Sequence, residues 1–566
     1  MERNAEFGIN KSTHIKIMKI VIIGGVAGGA TTAARLRRLD EKAEIVLFER
    51  GAYISYANCG LPYYIGGKIE SRDELLLQTP ESFKARYNID VRIHSEVLTI
   101  NTSRKSVLVK NLYKNEEYIE AYDKLVLSTG AEPIRPPLQG IDDDRIMILR
   151  NISDTDRIKS FIISKKPKRA VVVGGGFIGL EMVENLHEVG VDITVVEKAP
   201  QVMAPLDYPM AAIIHAHLRE KGVKLLLGVG VSGFNGTKNT ISVQLDNGQT
   251  IDTEMVILSI GVRPETKLAK ESGLTIGNLG GISVDEFMQT SDKNIYALGD
   301  AIEVLNPVIN KKALIPLAGP ANKQARIIAD NIIFGNKNTY AGTIGTSVAK
   351  VFDLTVAATG VNSRILDREH IAHIQSFTHS NSHAGYYPEA KQMSVKINFD
   401  KTSGKLLGAQ IVGEKGVDKR IDVFAQIIKN GGTIFDLQQF EHGYAPPYAS
   451  AKEVVNMAGF VAENIMDEQA KIIQWDEIDS LNRNDNLLID TRTAYEFAQG
   501  HIEGAINIPV DEIRDRLMDI PNNKRVILIC AVGLRGYVAA RILMQNCYKD
   551  VYNLSGGYKT YWYATR

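Results

Sequence analysis

The chain has 566 residues, with 66 Lys plus Arg against 66 Asp plus Glu and 44% hydrophobic residues. That length exceeds a single hydrophobic core and predicts about three to five domains, and the balanced charge leaves no global field for nucleic acid or anionic membrane, so small-molecule partners are expected. Three cysteines in so long a chain exclude a disulfide scaffold and point to a reducing compartment, read as the cytoplasm.

Residues 1–17 lack the continuous apolar core of a signal peptide, and no run elsewhere reaches membrane-spanning length. They read as a disordered tail or an upstream start before Met18. Ile20-Val21-Ile22-Ile23 is a short apolar run ending in Gly24-Gly25-Val26-Ala27-Gly28-Gly29, followed by a small-residue helix to about Leu39 and a second strand from Ile45 to Glu49. In this βαβ unit Gly24 and Gly29 allow the tight turn and the approach of a pyrophosphate to the helix N-terminus, and Glu49 is placed to accept from a ribose hydroxyl. Val26 stands at the middle position of GxGxxG. Arg35 and Arg38 lie three apart on the same helix and share a face, with Lys84 and Arg86 as further basic candidates. They read either as a solvated face or as a phosphate clamp for a phosphorylated thiol.

The stretch from Ser55 to Gly67 holds Cys59, the only cysteine in the first 529 residues. Asn58, Gly60 and Pro62 mark a turn, and a cysteine at such a helix start, under a flavin, would see helix N–H dipoles able to depress its pKa. Position 64, where a C-x4-C dithiol would place a partner, is Tyr64, and Cys530 and Cys547 lie more than 470 residues away. Cys59 therefore resolves its bonds against a small thiol, a persulfide or an oxygen species.

Tyr122 to Ala131 reads as a buried strand, after which Pro133, Pro136 and Pro137 punctuate a crossing to a second domain from about residue 150. There Ala170-Val171-Val172-Val173 leads into Gly174-Gly175-Gly176-Phe177-Ile178-Gly179-Leu180-Glu181, a full GxGxxG match at Gly174, Gly176 and Gly179. The following strand closes on Glu197, which favours the free ribose hydroxyls of NADH over the 2′-phosphate of NADPH, with Lys198 opposing that preference. Two fingerprints mean two dinucleotides, and the segment Thr290 to Ala301, by resemblance, implies that the second is a flavin whose ribitol Asp300 would bind.

That segment, together with Gly261-Val262-Arg263-Pro264, resembles the pyridine nucleotide-disulfide oxidoreductase family over roughly residues 18–460. The strings SYANCGLPYYIGG, LLLQTPESF and LAGPANKQ are similar to its coenzyme A-disulfide reductase branch. NADH oxidases and peroxidases of the family share the single cysteine but carry a serine before it, where this chain has Asn58. The resemblance implies FAD, a nicotinamide and a CoA-linked or inorganic sulfur substrate that meets Cys59, with Arg50, Thr129, Gly130, Gly261 and Ala318 at the cofactors. Ser55 and Asn58 would flank the substrate sulfur, and Thr31, Arg35, Arg38, Lys84 and Arg86 would face the nucleotide end of CoA. It also implies a homodimer in which Tyr386-Tyr387-Pro388 and Tyr444-Ala445-Pro446-Pro447-Tyr448 supply active-site hydroxyls to the neighbouring subunit, Tyr386 and Tyr444 in catalysis and Tyr448 at the substrate.

After a polar joint from Glu468 to Gln474, the run Tyr495 to Pro509 resembles a rhodanese domain. Val526 to Ile529 delivers Cys530 into a loop, Cys530-Ala531-Val532-Gly533-Leu534-Arg535-Gly536, whose N–H groups and Arg535 should stabilise a thiolate or persulfide. Cys547 reads as a buried structural residue. The expected fold is α/β: two Rossmann-like domains for FAD (18–150 with 262–337) and NAD(P)H (151–261), an α+β dimerisation domain (338–462), a linker (463–474) and an α/β rhodanese domain (475–566). The expected activity is reduction of CoA disulfide, CoA persulfide or polysulfide by NADH or NADPH, with no metal. The rivals are an NADH oxidase or peroxidase cycling through Cys59 sulfenic acid and a flavin-based redox-sensing binding protein.

Overall fold

A computed structural model describes residues 17–566; the expectation placed on residues 1–16 lies outside the described residues. The first apolar run forms the strand Lys19–Ile23, in which Ile20, Val21 and Ile22 are fully buried. Burial on both faces is what a central parallel strand requires, and each such aliphatic side chain contributes about 1.5–3 kcal/mol. The strand lies third in a five-stranded parallel sheet between Lys124–Leu127 and Glu44–Phe48, with Ile295–Ala297 and Asp90–Arg92 at the edges.

A second sheet repeats this plan, in the order Lys224–Leu227, Asp192–Glu197, Arg169–Val173, Met255–Leu258 and Ile146–Met147. Its edge strand corrects the sequence boundary. Residues 146–147, expected in the first domain, pair with Met255–Leu258 in the second. The chain crosses between the domains through two antiparallel strands, Ala131–Pro133 and Val262–Pro264, and its return as Ile295–Ala297 carries the turn Gly299–Ala301 to the C-terminal ends of the first sheet.

A five-stranded antiparallel sheet follows, in the order Ser347–Val351, Leu354–Gly360, Leu406–Gly413, Gln392–Asp400 and His373–Asn381. Its Val356, Phe377 and Val412 share a core with Met210 and Ile214 of the second domain and with Leu61 and Ile65 just after Cys59. At this junction Lys396 is buried against Asp207 and Ser363, and Gln410 donates to Asp207 at 2.7 Å. A buried ion pair so satisfied fixes the contact, whereas removal of one partner strands a charge.

The last sheet is parallel: Ile472–Ile473, Val551–Leu554, Arg525–Ile529, Asn486–Asp490, Ile506–Asn507. The linker is shorter than expected, since the helix Val454–Met466 runs through residues 463–466 and residues 472–473 already pair in this sheet. The domain docks on the rest of the chain through several contacts. Trp475 stacks on Tyr208 at 5.8 Å, His379 bridges Ser394 (2.9 Å) and Thr560 (3.0 Å), and Lys559 donates to Gln392 at 2.6 Å. Among the described residues no helix is long and apolar enough to cross a membrane, and no cluster of three or more His, Cys, Asp or Glu is arranged to hold a metal.

Candidate active site

A cavity of about 2160 Å³ runs along the C-terminal ends of both parallel sheets, the place where open α/β sheets bind ligands. Its walls bring together Gly24, Glu49, Arg50, Asn58, Cys59, Thr129, Gly130, Asp300 and Ala318 of the first domain with Gly174, Gly176, Glu197 and Gly261 around the second. Gly24 and Gly174 have φ of +97° and +105°, and a Cβ there would stand 2.1 Å from the Ser128 carbonyl oxygen and 2.3 Å from that of Ser259. Gly29 and Gly179 sit equally close to backbone, with a Cβ 1.8 Å from Gly24 O and 2.0 Å from Gly174 O, so they pack the turn rather than line the cavity. At Gly176 a Cβ would meet nothing within 4 Å. That open side is where a pyrophosphate approaches the helix N-terminus.

The two carboxylates behave alike. Glu49 accepts from the N–H groups of Gly25 (2.9 Å) and Gly51 (2.7 Å), and Glu197 from those of Gly175 (2.7 Å) and Ala199 (2.7 Å). Each side chain is thus pinned at the strand end beside its glycine turn. Thr129 donates to the Glu265 carbonyl at 2.7 Å, joining the two crossings, and Arg50 reaches Glu132 at 3.4 Å.

Cys59 lies exposed in a single 3-10 turn, Asn58–Gly60, that runs into the short helix Leu61–Ile65. Three neighbours hold this segment. Ser55, in the left-handed region at φ +44°, donates its N–H to Gly25 O at 2.9 Å, Ala57 donates to Leu75 O at 2.8 Å, and the Lys159 ammonium caps the helix carbonyls of Tyr64 (2.7 Å) and Ile65 (3.0 Å). Gly66 must be glycine, since a Cβ would collide with Asn185 at 2.2 Å.

The expected depression of the thiol pKa is corrected by the structure: burial, then the charges of Glu181 and Asp300, push it up. A five-residue helix supplies little dipole against two carboxylates. Glu181 is the residue the sequence reading passed over. Burial, then Glu184, pushes its carboxyl up to about 7, and it lines the same cavity. Its signal was available, as the lone carboxylate in the apolar start of the helix Phe177–Glu188, two residues after the last fingerprint glycine.

The phosphate clamp is only partly assembled. Arg35 is engaged within the chain, its guanidinium on Asp330 at 2.8 Å, and Thr31 donates to Asn322 at 2.7 Å. Lys84 donates to Asn88 at 2.8 Å, while Arg38, Lys84 and Arg86 are exposed. None of these five lines the cavity, nor does Ser55.

Tyr386 and Tyr444 also stand outside that cavity, yet their hydroxyls meet at 3.1 Å. Tyr386 is 78% exposed and Tyr448 72%. The two loops are tied from below. Arg420 and Glu453, with side chains 2% and 1% exposed, form a two-pronged pair (2.5 and 3.0 Å), and Arg420 also donates to Ser382 O at 2.8 Å. Ala384 donates to Ala449 O at 3.0 Å.

In the last domain Cys530 is buried and accepts the Gly533 N–H on its Sγ at 3.0 Å. Gly533, at φ +106°, precedes the helix Leu534–Gln545, as the loop-into-helix reading expects. Tyr558 donates its N–H to Cys530 O at 2.7 Å. Arg535 is held by Glu496 through two bonds of 2.7 Å, and that hydrogen bonding drives the Glu496 carboxyl down to about 2. Cys547 is a correction: it is exposed, at φ +72°, just past the end of that helix.

Comparison with known proteins assigns the same three segments. Residues 18–325 match the pyridine nucleotide-disulphide oxidoreductase model, residues 346–455 that family's dimerisation domain, and residues 475–564 the rhodanese-like domain. A coenzyme A disulfide reductase of Staphylococcus haemolyticus is 38% identical over 79% of this chain and 100% of its own. The reduced CoADR-RHD of Bacillus anthracis superposes with a TM-score of 0.94 at 52% identity over 97% of this chain and 98% of that one. A NAD-dependent persulfide reductase from A. fulgidus superposes at 0.91 with 36% identity, over 96% and 100%. With both glycine cradles shaped for dinucleotides and one match running through them, the chain belongs to the pyridine nucleotide-disulphide oxidoreductase family, as a flavin- and nicotinamide-dependent enzyme that also carries a rhodanese-like domain.

Proposed function

We propose that this chain, as a cytoplasmic homodimer, reduces CoA disulfide, CoA persulfide or polysulfide with NADH, using Cys59 as its one redox cysteine and Cys530 as the loading point for sulfane sulfur. The observation that carries the reading is the position of Cys59 in one cavity with both glycine cradles, with Tyr64 where a second thiol would stand. The names of the S. haemolyticus and A. fulgidus relatives support the substrate class.

When bound, FAD supplies the electron pair that the nicotinamide delivers as hydride. The Cys59 thiolate attacks a sulfur of the substrate, the S–S bond breaks, and CoA thiolate or hydrosulfide leaves. That same electron pair then cleaves the resulting Cys59–sulfur bond, restoring the Cys59 thiolate and releasing the bound half as thiol or hydrosulfide. Glu197, held at its strand end, accepts from the adenosine ribose of NADH and disfavours a 2′-phosphate there. Arg38, Lys84 and Arg86 are exposed cations for the nucleotide end of CoA, and Arg35 joins them by exchanging Asp330 for phosphate. Tyr386 and Tyr444, paired and outward-facing, serve the cavity of the neighbouring subunit, with Tyr448 beside the substrate.

The test is NADH oxidation and sulfide release with CoA disulfide, CoA persulfide and polysulfide side by side, repeated with NADPH. CoA-linked turnover with kcat/KM about tenfold higher for NADH is expected, the worth of roughly 1.4 kcal/mol. Peroxide consumed stoichiometrically without CoA would make the enzyme a peroxidase. Negligible turnover with every acceptor would leave a redox-sensing protein.

A further inference from the structure

Sulfur loading on Cys530 requires a donor to reach its loop, and the chemistry of the rim decides which donor. A bare arginine beside a recessed cysteine would favour multiply charged anions. Here the arginine is not bare. Arg535 sits in the first turn of the helix whose Gly533 N–H holds Cys530 Sγ, and both of its terminal nitrogens are taken by Glu496 at 2.7 Å.

Glu496 is fixed independently. It is the third residue of the capping box that starts the helix Ala494–Ala498, accepting from Thr493 N and Thr493 Oγ1 at 3.0 Å each. The pair is therefore preassembled rather than gathered by a ligand. Its flanks are apolar. Tyr495, next to Glu496, is 76% exposed, and Leu534, next to Arg535, is 63% exposed with Val538 one turn on along the same helix face.

We propose that Glu496 is the specificity-determining residue of this loop: by cancelling Arg535 it makes a neutral, apolar rim that admits organic sulfane donors of low charge and rejects dianionic ones. The inference rests on the reading of Cys530 as a sulfur-loading thiol. In the step concerned, the Cys530 thiolate attacks the outer sulfur of the donor. Its S–S bond breaks, the electron pair leaves with sulfite from thiosulfate or with methanesulfinate from methanethiosulfonate, and Cys530 becomes a persulfide. Cyanide then takes the terminal sulfur as thiocyanate and returns the thiolate.

Thiosulfate and methanethiosulfonate share this chemistry and differ by one negative charge and a methyl group, so their ratio isolates the rim. Glu496→Gln keeps an acceptor for Thr493 N, and glutamine suits that position of a capping box, while Arg535 becomes an uncompensated cation. In the full-length holoenzyme, Glu496→Gln is expected to raise kcat/KM for thiosulfate about tenfold and to change that for methanethiosulfonate less than about threefold. Glu496→Asp, which keeps the charge, should keep the wild-type preference. A ratio unchanged in Glu496→Gln overturns the proposal.

A second measurement does not depend on turnover. The rate of Cys530 alkylation by anionic iodoacetate relative to neutral iodoacetamide, read by mass spectrometry of the Cys530 peptide, should rise in Glu496→Gln, and a constant ratio is again fatal. If wild type and Cys530→Ala transfer no sulfur from either donor, the loading reading fails, and the alkylation ratio still decides whether Glu496 masks Arg535.

Discussion

Cys59 and Cys530 hold a sulfur in two contrasting settings within one chain, the first exposed and the second buried. Cys59 is open to a large cavity whose walls hold Glu181 and Asp300, and desolvation by those surrounding walls, then the two carboxylates, push its thiol up. Cys530 is recessed, with a backbone N–H already on its sulfur and a cation, itself cancelled by Glu496, at the loop's far end. The first site is built to be completed by what binds in its cavity, whereas the second is complete in the bare protein. On the reading proposed above, the first is the redox thiol and the second the thiol loaded with sulfur.

The largest effect tests that division directly. Cys59→Ser should retain FAD and its reduction by NADH but lose reduction of every sulfur substrate by at least about a thousandfold, whereas Cys530→Ala should spare preformed CoA persulfide and abolish sulfide release from donors that must first load the second domain. Stopped-flow flavin reduction and sulfide release, measured on both variants with bound CoA quantified, decide it; equal losses on both substrates in Cys530→Ala would dissolve the distinction.

A smaller effect is expected where the first site borrows from elsewhere. Tyr444→Phe should lower kcat about 10- to 100-fold with little change in the KM for NADH. Mixed dimers bearing Cys59→Ser on one chain and Tyr444→Phe on the other keep one intact site if the hydroxyl acts across the interface. Activity no better than that of the Tyr444→Phe homodimer would place both groups in one chain.

The smallest effect sharpens the electrostatic half of the comparison. Glu181→Gln removes one of the charges that raise the Cys59 pKa, so the pH profile of Cys59 alkylation by iodoacetamide should move to lower pH. An unmoved Cys59 profile would leave burial and Asp300 as its sole cause.

Much of this arrangement is local in sequence and was legible there. The glycine turns at Gly24 and Gly174, the carboxylates Glu49 and Glu197 at the next strand ends, and the loops of Cys59 and Cys530 each follow from a short run whose period and turn residues constrain the backbone. What escaped is made by residues far apart in the chain. Arg35 meets Asp330 across 295 positions, and Arg535 meets Glu496 across 39, so a basic residue read from its own helix looks free when a distant carboxylate holds it. Strand Ile146–Met147 was missed for a related reason: two residues carry no periodicity, and only their pairing with Met255–Leu258 defines them. Cys547 was read from the apolar helix before it, which ends two residues earlier at Gln545.

The helix Gly557–Ala564 has a double allegiance. Its Tyr558 N–H fastens the backbone of the Cys530 loop, and its Thr560 and Lys559 are seated on the antiparallel sheet of the reductase body through His379 and Gln392. The rhodanese-like domain and its host are therefore not beads on a string but share a keystone, and loosening that helix from the body slackens the loop that holds Cys530. A protein cut between residues 467 and 471 would separate the rhodanese-like domain from the surface that frames it.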